Sequence, residues 1–347
     1  MTQSAFIVLG MHRSGTSALT RSLEAFGLEQ ANDLLEANEF NRQGYFEARP
    51  VVELNDELLE RQARHWADPK PFDLPGIATV SDWAGQAAKV LRTLFALKRS
   101  PLVKDPRISR TLPVWTEAFA TLGHTGKLVI LCRNPLSVAA SLYRRDGMGF
   151  AHALDLWFAY MMEAVRLSRG HDRALVHYET LVADPQGALE RLGSALGLAI
   201  DGKAGDAAGA IVSADQHHRS DADRLFDHPT AGDHIKRLYA VLSEDGLGDE
   251  AAIETLWQDW LDLWEHRGTD RSAGSDLHLS LPDHHASEAR SSMARGDVAG
   301  AVAACRRALE GGEHLARIQL LAGQTFAGAG LVDEAELAWD AARRQST

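Results

Sequence analysis

The chain has 347 residues, of which 45% are hydrophobic and 24% are charged, the composition of an ordinary globular protein. Its formal net charge is −12, which argues against a general nucleic-acid binder, because phosphate contacts along a duplex need a basic surface. A local basic pocket for an anionic nucleotide is compatible with this charge, since the charge of a pocket depends on the side chains nearby.

Cysteine content and hydrophobic runs predict a cytoplasmic protein. Cys132 and Cys305 are too few for a disulfide framework and are typical of a reducing compartment. The apolar run Phe6–Leu9 is too short for a signal peptide and has no basic segment before it. No hydrophobic stretch approaches the ~20 residues that span a bilayer. We therefore expect no transmembrane segment, although a substrate at a membrane surface is compatible with the sequence.

Short apolar runs alternate with helix-length stretches over the first ~200 residues. The candidate strands are Ala5–Leu9, Leu102–Lys104, Lys127–Cys132 and Ala174–Tyr178. The candidate helices are Thr16–Phe26, Val51–Ala63, Asp82–Lys98, Pro135–Tyr143 and Ala151–Ser168. This alternation predicts βαβ units, and hence an α/β fold of three layers around a central parallel sheet.

The remainder of the chain predicts a loop, a long helix, a linker and a helical section. Residues 200–235 are polar and rich in Asp, His and Ala, which predicts a loop with short helices. Ile253–His266 carries three tryptophans at helical spacing, which indicates an amphipathic helix. Arg267–Asp283 is rich in Gly, Ser and Asp, as linkers are. We place the first domain at 1–270, the linker at 271–284 and the helical section at 285–347.

Two segments of the helical section share a spacing of small residues. Gly296, Ala301 and Ala308 recur 34 positions later as Gly330, Ala335 and Ala342. Small residues at fixed positions let antiparallel helices approach closely, and the period resembles the tetratricopeptide repeat. Two units are fewer than the ~3 needed for independent stability. The resemblance therefore implies docking on the preceding domain, binding of a protein partner or self-association. The alternative is an ordinary helical hairpin in an alanine-rich chain.

The most informative motif lies between the first strand and the first helix, and reads Gly10-Met11-His12-Arg13-Ser14-Gly15-Thr16-Ser17. A glycine-bounded loop in this position aims backbone N–H groups and a helix N-terminus at a phosphate. Gly10 and Gly15 allow tight turning, while Thr16 and Ser17 offer hydroxyls. A Walker A loop needs lysine where Thr16 stands. The cation lies inside the loop instead, as Arg13.

This loop resembles the 5′-phosphosulfate loop of the sulfotransferase superfamily, in which Lys or Arg precedes Ser-Gly-Thr/Ser. The resemblance implies that the residues of the loop, Arg13 among them, hold the 5′-phosphate and the bridging oxygen of 3′-phosphoadenosine 5′-phosphosulfate (PAPS). Negative charge grows on that oxygen as the sulfuryl group leaves, and a fixed guanidinium with a helix dipole stabilises it. The alternatives are a degenerate NTPase or kinase loop and a purely structural glycine turn.

A second motif follows the third predicted strand, where Arg133-Asn134-Pro135 is followed by Ser141 on the next helix. Proline suits the first turn of a helix. Arginine forms bidentate bonds to phosphate, and serine adds a hydroxyl donor. The pattern is similar to the 3′-phosphate signature of PAPS-dependent sulfotransferases, which implies that Arg133 and Ser141 hold the 3′-phosphate. Because ATP lacks that phosphate, the match favours sulfuryl transfer over phosphoryl transfer.

Two lesser segments also resemble the family. The Tyr-Glu pair that begins at Tyr178, followed by Asp-Pro at Asp184, resembles a segment whose aromatic residue lies near the adenine. The Lys-Asp-Pro sequence at Lys104 resembles that of the tyrosylprotein and carbohydrate sulfotransferases, which implies that Lys104 reaches the transferring sulfonate. The alternatives are a tyrosine that ends a core strand and a surface ion pair between Lys104 and Asp105.

The Arg-type loop resembles the bacterial branch related to the carbohydrate and tyrosylprotein enzymes. The Arg-Lys-Gly nucleotide loop of the cytosolic phenol and steroid enzymes has no counterpart downstream. Gln216–Arg219 is our candidate replacement, with Arg219 as a cation near the nucleotide.

The general base has three candidates. Glu47 is the first choice, because the Arg-type relatives use a glutamate after the first helix; a helix-start carboxylate facing the dipole is its alternative reading. His12 is the second choice, and Asp105 is the third, better suited to orienting Lys104. The histidines show no metal-ligand spacing, and the charge of the leaving nucleotide can be met by Arg13, Lys104 and backbone amides. We therefore expect no metal requirement.

Together these motifs predict a sulfotransferase fold related to the P-loop NTPases. We expect transfer of a sulfuryl group from PAPS to a hydroxyl or amine of a saccharide, lipid or small metabolite, with 3′,5′-adenosine bisphosphate as the product. A P-loop-like ATP-dependent kinase and a non-enzymatic repeat scaffold with a vestigial nucleotide site are the rival functions.

Overall fold

A computed structural model describes residues 3–24, 26–35, 44–72, 80–96, 98–198, 225–245, 247, 249–269, 285, 288–290, 292–293, 295–312 and 316–345. The chain divides into two units, Met1–Ser141 with Leu154–Trp264, and Leu142–Ala153 with Glu265–Thr347. The predicted domain boundaries at 270 and 285 did not anticipate that 142–153 would group with the C-terminal residues. The predicted linker 271–284 lies outside the described residues, as does most of the predicted loop 200–235.

A parallel sheet forms the centre of the first unit. Its described strands are β1 (Gln3–Gly10), β2 (Leu102–Lys104), β3 (His124–Cys132) and β4 (Asp172–His177), in the order β2-β1-β3-β4. Ile7 pairs with Val103 on one side and with Leu128 on the other. The last six residues of β1 are all buried, as expected of a parallel strand covered on both faces. The predicted α/β class and its four strands are confirmed.

Ten described helices belong wholly or partly to the first unit. They are α1 (Thr16–Glu24), α2 (Arg49–Arg61), α3 (Val80–Phe95), α4 (Ile108–Thr121), α5 (Pro135–Asp146), α6 (Phe150–Leu167), α7 (Tyr178–Ala183), α8 (Pro185–Leu196), α9 (Asp233–Asp245) and α10 (Glu250–Thr269). Side chains of α1, α7 and α8 share one core cluster with β1, β3 and β4, whereas α4 packs on β1 and β3 outside that cluster. The predicted helices all form. Tyr178 begins α7 instead of ending β4, and α4, α7, α8 and α9 were not predicted.

A buried ion pair joins α4 to α6. Arg110 Nε donates to Glu163 Oε2 at 2.7 Å, with the two side chains 0% and 1% exposed. Arg110 also donates to the carbonyls of Asp68 and Lys70, and Glu163 accepts the N–H of Phe72. Burial raises the pKa of the Glu163 carboxyl, and the Arg110 guanidinium opposes that shift. The pair thus ties the backbone between Asp68 and Phe72 to both helices.

Replacing Glu163 by leucine should lower the free energy of unfolding by about 3 kcal/mol or more, because a buried guanidinium loses its counter-charge. Urea denaturation followed by circular dichroism measures the change. Glu57→Gln is the matched control, since Glu57 and Arg61 form an exposed pair on α2, and it should cost less than about 1 kcal/mol. Equal losses in the two variants would contradict the expected dependence on burial.

The second unit contains the described helices α11 (Val298–Gly312), α12 (Ala316–Gly328) and α13 (Val332–Gln345). Small side chains dominate its core, which comprises Ala289, Ala304, Cys305, Ala308, Ile318, Leu321, Ala322, Phe326, Ala335 and Ala338. A Cβ at Gly323 would collide with the indole of Trp339, so α12 and α13 approach closely at that point. Of the predicted small residues, Ala308 and Ala335 belong to this core.

Two turns of the second unit have the same geometry. Gly296 has φ 75° and Gly330 has φ 76°, both in the left-handed region. Each glycine N–H donates to the carbonyl three residues before it, at 3.0 Å in both turns. The next N–H donates to the carbonyl five residues before it, at 2.9 Å after Gly296 and 2.8 Å after Gly330. Ala301 and Ala335, at equivalent positions, are both buried. Assignment to the tetratricopeptide family stays a prediction.

Gly296→Ala and Gly330→Ala should each destabilise the protein by roughly 1–2 kcal/mol, because alanine is strained in the left-handed region. Differential scanning calorimetry measures both variants. Gly85→Ala is the control: Gly85 lies within α3 with open space around its Cα, so the substitution should stabilise by about 0.5–1 kcal/mol. Clearly unequal effects at positions 296 and 330 would contradict their equivalence.

Candidate functional site

The loop Gly10–Ser17 follows β1 and leads into α1. Gly10 has φ 147°, and a Cβ there would lie 2.7 Å from the carbonyl oxygen of Leu131. Gly15 has φ 91°, and a Cβ there would collide with the ring of Tyr178. Both glycines are therefore required by backbone conformation and by close packing, as the motif predicts.

Separate contacts fix the start and the middle of this loop. Gly10 N–H donates to Ser109 Oγ of α4 at 2.9 Å, and the Ser109 hydroxyl lies 3.3 Å from the Gly10 carbonyl oxygen. Ser14 N–H donates to the Met11 carbonyl, closing a turn just before α1 begins at Thr16. Ser14 Oγ is buried and has no hydrogen-bond partner among the residues that the structure describes. The helix N-terminus and this hydroxyl suit an anion.

The two cationic motifs meet at this loop. Arg13 lies in the left-handed region with φ 65°, and its Nε donates to Ser141 Oγ at 3.0 Å. Arg133 Nη1 donates to the carbonyl oxygen of Arg13 at 2.9 Å. Arg133 Nε is buried and, within the described part of the chain, has no hydrogen-bond partner. The residues predicted for opposite ends of one nucleotide are thus direct neighbours.

Neighbouring side chains hold Arg133 at the end of β3. Its carbonyl accepts the indole N–H of Trp157 at 3.0 Å, and the N–H of Asn134 donates to Glu179 Oε1 at 3.0 Å. The guanidinium carbon lies 4.2 Å from the centre of the Tyr178 ring. Trp157 and Ser109 were not predicted as site residues, and Glu179 was part of a motif without a role. The predicted position of Tyr178 near an adenine stays a prediction.

Glu47 and Lys104 form a second buried ion pair, beside the end of the loop. Lys104 Nζ lies 2.8 Å from Glu47 Oε1, with the side chains 1% and 9% exposed. Lys104 Nζ also donates to Ser17 Oγ at 3.3 Å and to the carbonyl of Tyr45. The Ser17 hydroxyl donates to that same carbonyl at 3.1 Å. Three predicted site residues, Glu47, Lys104 and Ser17, therefore lie together.

Asp105 belongs to a different cluster from Lys104. Its Oδ1 lies 2.9 Å from Arg107 Nη1, and its Oδ2 accepts a hydrogen bond from Asn55 Nδ2 at 2.8 Å. Burial acts to lower the pKa of Arg107, but the Asp105 and Asp56 carboxylates outweigh this and raise it. The expectation that Asp105 orients Lys104 is therefore corrected, since the carboxylate that pairs with Lys104 is Glu47.

His12 lies among aromatic rings. Its ring centre is 4.7 Å from that of Trp66 and 5.6 Å from that of Tyr160, which it meets edge-on. The Tyr160 hydroxyl donates to the Trp66 carbonyl at 2.7 Å, and burial raises the pKa of that hydroxyl. These contacts pack His12 against Trp66 and Tyr160, and they do not favour His12 over Glu47 as the general base.

Arg219 lies outside the described residues. Within the described ranges, no group of three or more His, Cys, Asp or Glu side chains is arranged to hold a metal ion. Over the same ranges, no helix has the length and apolar character needed to cross a membrane. Arg13 belongs to the loop, and Arg133 and Lys104 each contact it. Such a concentration of cations suits a ligand with several negative charges.

Several solved structures are similar to this chain at low identity. The sulfotransferase domain from the curacin biosynthetic pathway is 15% identical, with 74% of this chain and 97% of that chain covered and a TM-score of 0.41. Sulfotransferase STF9 from Mycobacterium avium is also 15% identical, with 76% and 77% covered and a TM-score of 0.41. Mouse sulfotransferase SULT7A1 complexed with PAP is 14% identical, with 62% and 68% covered and a TM-score of 0.36.

No curated protein matches the chain. A protein-family model, described as the sulfotransferase family, matches residues 5–202. That range is more than half of the chain and contains the loop, the Glu47–Lys104 pair, Arg133 and Ser141. The solved structures are too distant from this chain to assign a family, so the family assignment depends on the match to the family model. The chain belongs to the sulfotransferase family and is a transferase enzyme, as its two phosphate motifs predict.

Proposed function

We propose that the protein transfers a sulfuryl group from PAPS to a hydroxyl or amine of a saccharide, a lipid or a small metabolite. The observation that carries this proposal is the hydrogen bond from Arg133 Nη1 to the Arg13 carbonyl. It unites in one site the motif predicted for the 5′-phosphosulfate and the motif predicted for the 3′-phosphate. A nucleotide with phosphates at both ends matches such a pair of cations better than ATP does.

Two buried donors support the fit of this nucleotide. Ser14 Oγ and Arg133 Nε are both shielded from solvent, and neither has a hydrogen-bond partner within the described residues. A buried donor without an acceptor costs free energy, and phosphate oxygens are strong acceptors. Arg133 Nη1 is engaged with the Arg13 carbonyl, so the Nε side of the guanidinium is the side left for a phosphate.

In the proposed mechanism the loop stabilises charge on the leaving nucleotide, and the adjacent Glu47–Lys104 pair acts on the acceptor. PAPS supplies an activated sulfuryl group and a phosphate oxygen that becomes negatively charged on transfer. Arg13 and the N-terminus of α1 stabilise negative charge near the loop. Glu47, a carboxylate paired with Lys104, accepts the proton of the acceptor hydroxyl as general base. Lys104 holds Glu47 and Ser17 together and offsets the charge of the sulfonate oxygens.

The proposal extends to the role of the C-terminal helices and to the cellular compartment in which the protein works. Residues 285–347 form two tetratricopeptide-like units that dock on the catalytic domain, bind a protein partner or self-associate, and the matching turns at Gly296 and Gly330 support the repeat. Cys132 and Cys305 are both free and buried, which supports work in the reducing cytoplasm.

Removing the Arg133 guanidinium should weaken binding of 3′,5′-adenosine bisphosphate by about a hundredfold or more, because charge-assisted hydrogen bonds are lost. Isothermal titration calorimetry of Arg133→Ala and Arg13→Ala measures this. Arg92→Ala removes an exposed arginine of α3 and should leave the affinity unchanged. Unchanged affinity in Arg133→Ala would contradict the proposed site, and tighter binding of Mg·ATP than of the bisphosphate by the native protein would favour a kinase.

Glu47→Gln should lower kcat by roughly 10²–10⁴, because general-base catalysis contributes about that factor, with a much smaller effect on bisphosphate binding. Transfer of labelled sulfate from PAPS to a panel of saccharides, glycolipids and small alcohols measures turnover. Glu53→Gln, an exposed position on α2, is the matched control. A larger loss in His12→Asn than in Glu47→Gln would move the role of base to His12.

A further inference from the structure

The ring of Tyr178 lies between Arg133 and the loop Gly10–Ser17. Its ring centre is 4.2 Å from the Arg133 guanidinium carbon, and the ring occupies the space that a Cβ on Gly15 would need. Tyr178 is only 5% exposed and belongs to the hydrophobic core cluster that α1, α7 and α8 share with the sheet. A ring enclosed in this way presents a face to Arg133, and little of it is open to an adenine base.

The peptide bond between Arg133 and Asn134 is held at both of its polar groups. Trp157 donates to the carbonyl of Arg133, and Glu179 accepts the N–H of Asn134 immediately after it. Backbone position is therefore fixed, and the remaining freedom is that of the long side chain. Arg133 Nη1 reaches the Arg13 carbonyl, which restrains one end of the guanidinium without defining its plane.

From these contacts we infer that Tyr178 is a positioning residue for Arg133, and that its ring orients the guanidinium for the 3′-phosphate. The electron-rich face of an aromatic ring attracts a cation, and the attraction is strongest where both groups are shielded from water. Arginine recognises phosphate through a planar fork, so fixing that plane fixes the direction of its donors. This inference rests on the proposed function, because it presumes that Arg133 binds a 3′-phosphate.

The effect should be confined to one phosphate of the ligand. The dissociation constant for adenosine 5′-phosphate divided by that for 3′,5′-adenosine bisphosphate, both measured by calorimetry, gives a ratio that isolates the contribution of the 3′-phosphate. Tyr178→Leu should reduce this ratio about tenfold to thirtyfold, with the affinity for adenosine 5′-phosphate nearly unchanged. Tyr178→Phe should keep the ratio, since the ring remains. Tyr143→Leu, at a 58% exposed tyrosine, is the control and should change neither constant.

An adenine-stacking role predicts a different result. In that case Tyr178→Leu weakens both ligands by the same factor, leaves the ratio unchanged and overturns the inference. A lowered ratio in Tyr178→Phe would assign the effect to the hydroxyl and would also overturn it. If the native protein itself shows no preference for the bisphosphate, the proposed function fails, whereas a preference that survives in Tyr178→Leu removes only the role of Tyr178.

A second set of variants covers the case in which Tyr178→Leu does not fold. Phenylalanine and its mono-, di- and trifluorinated forms at position 178 retain the shape of the ring while withdrawing charge from its face. The ratio of dissociation constants should fall stepwise with each added fluorine, because the cation–π attraction weakens. A ratio that stays constant across this series would overturn the inference.

Discussion

The hydrogen bond from the Arg133 side chain to the Arg13 carbonyl is the interaction on which the site depends. Arg13 is a non-glycine residue in the left-handed region, a conformation that costs roughly 1–2 kcal/mol. Such strain persists only where surrounding contacts over-determine it. Arg133 holds the carbonyl of Arg13, Ser141 holds its side chain, and Ser109 holds the start of the loop. Three elements that are distant in sequence therefore impose one loop conformation.

Much of the fold follows from local pattern. The four strands were predictable because each is a short apolar run bounded by turn residues, and Leu102–Lys104 has the predicted bounds. Helix α4 was missed because Pro113 lies inside it, and proline removes a helical hydrogen bond. Its cost is accepted because Trp115 and Phe119 of that helix are buried. Tertiary burial overrode a local breaking signal, and with α4 the sequence reasoning also missed Ser109.

The candidate site was predictable where a residue type carries its own chemistry, and unpredictable where its role comes from contact alone. Arginine and serine at spaced positions identified Arg13, Arg133 and Ser141. Trp157 supports Arg133 through an indole N–H, and a tryptophan in an apolar helix is indistinguishable in sequence from any other core residue. The role predicted for Asp105, orienting Lys104, was wrong because it was inferred from sequence proximity alone. Its proximity to Lys104 in sequence suggested a pair, but Asp105 follows the last residue of β2 and its carboxylate contacts Arg107 and Asn55 instead.

The Arg110–Glu163 and Glu47–Lys104 ion pairs differ in what accounts for them. Arg110 and Glu163 also satisfy backbone groups of the segment between Asp68 and Phe72, so their charges hold an irregular stretch of chain in place. Glu47 and Lys104 have fewer such contacts. A buried ion pair is on average no more stabilising than a well-packed apolar pair, so stability alone gives little reason for charges beside the loop. Proton transfer and sulfonate binding at the proposed site give that reason.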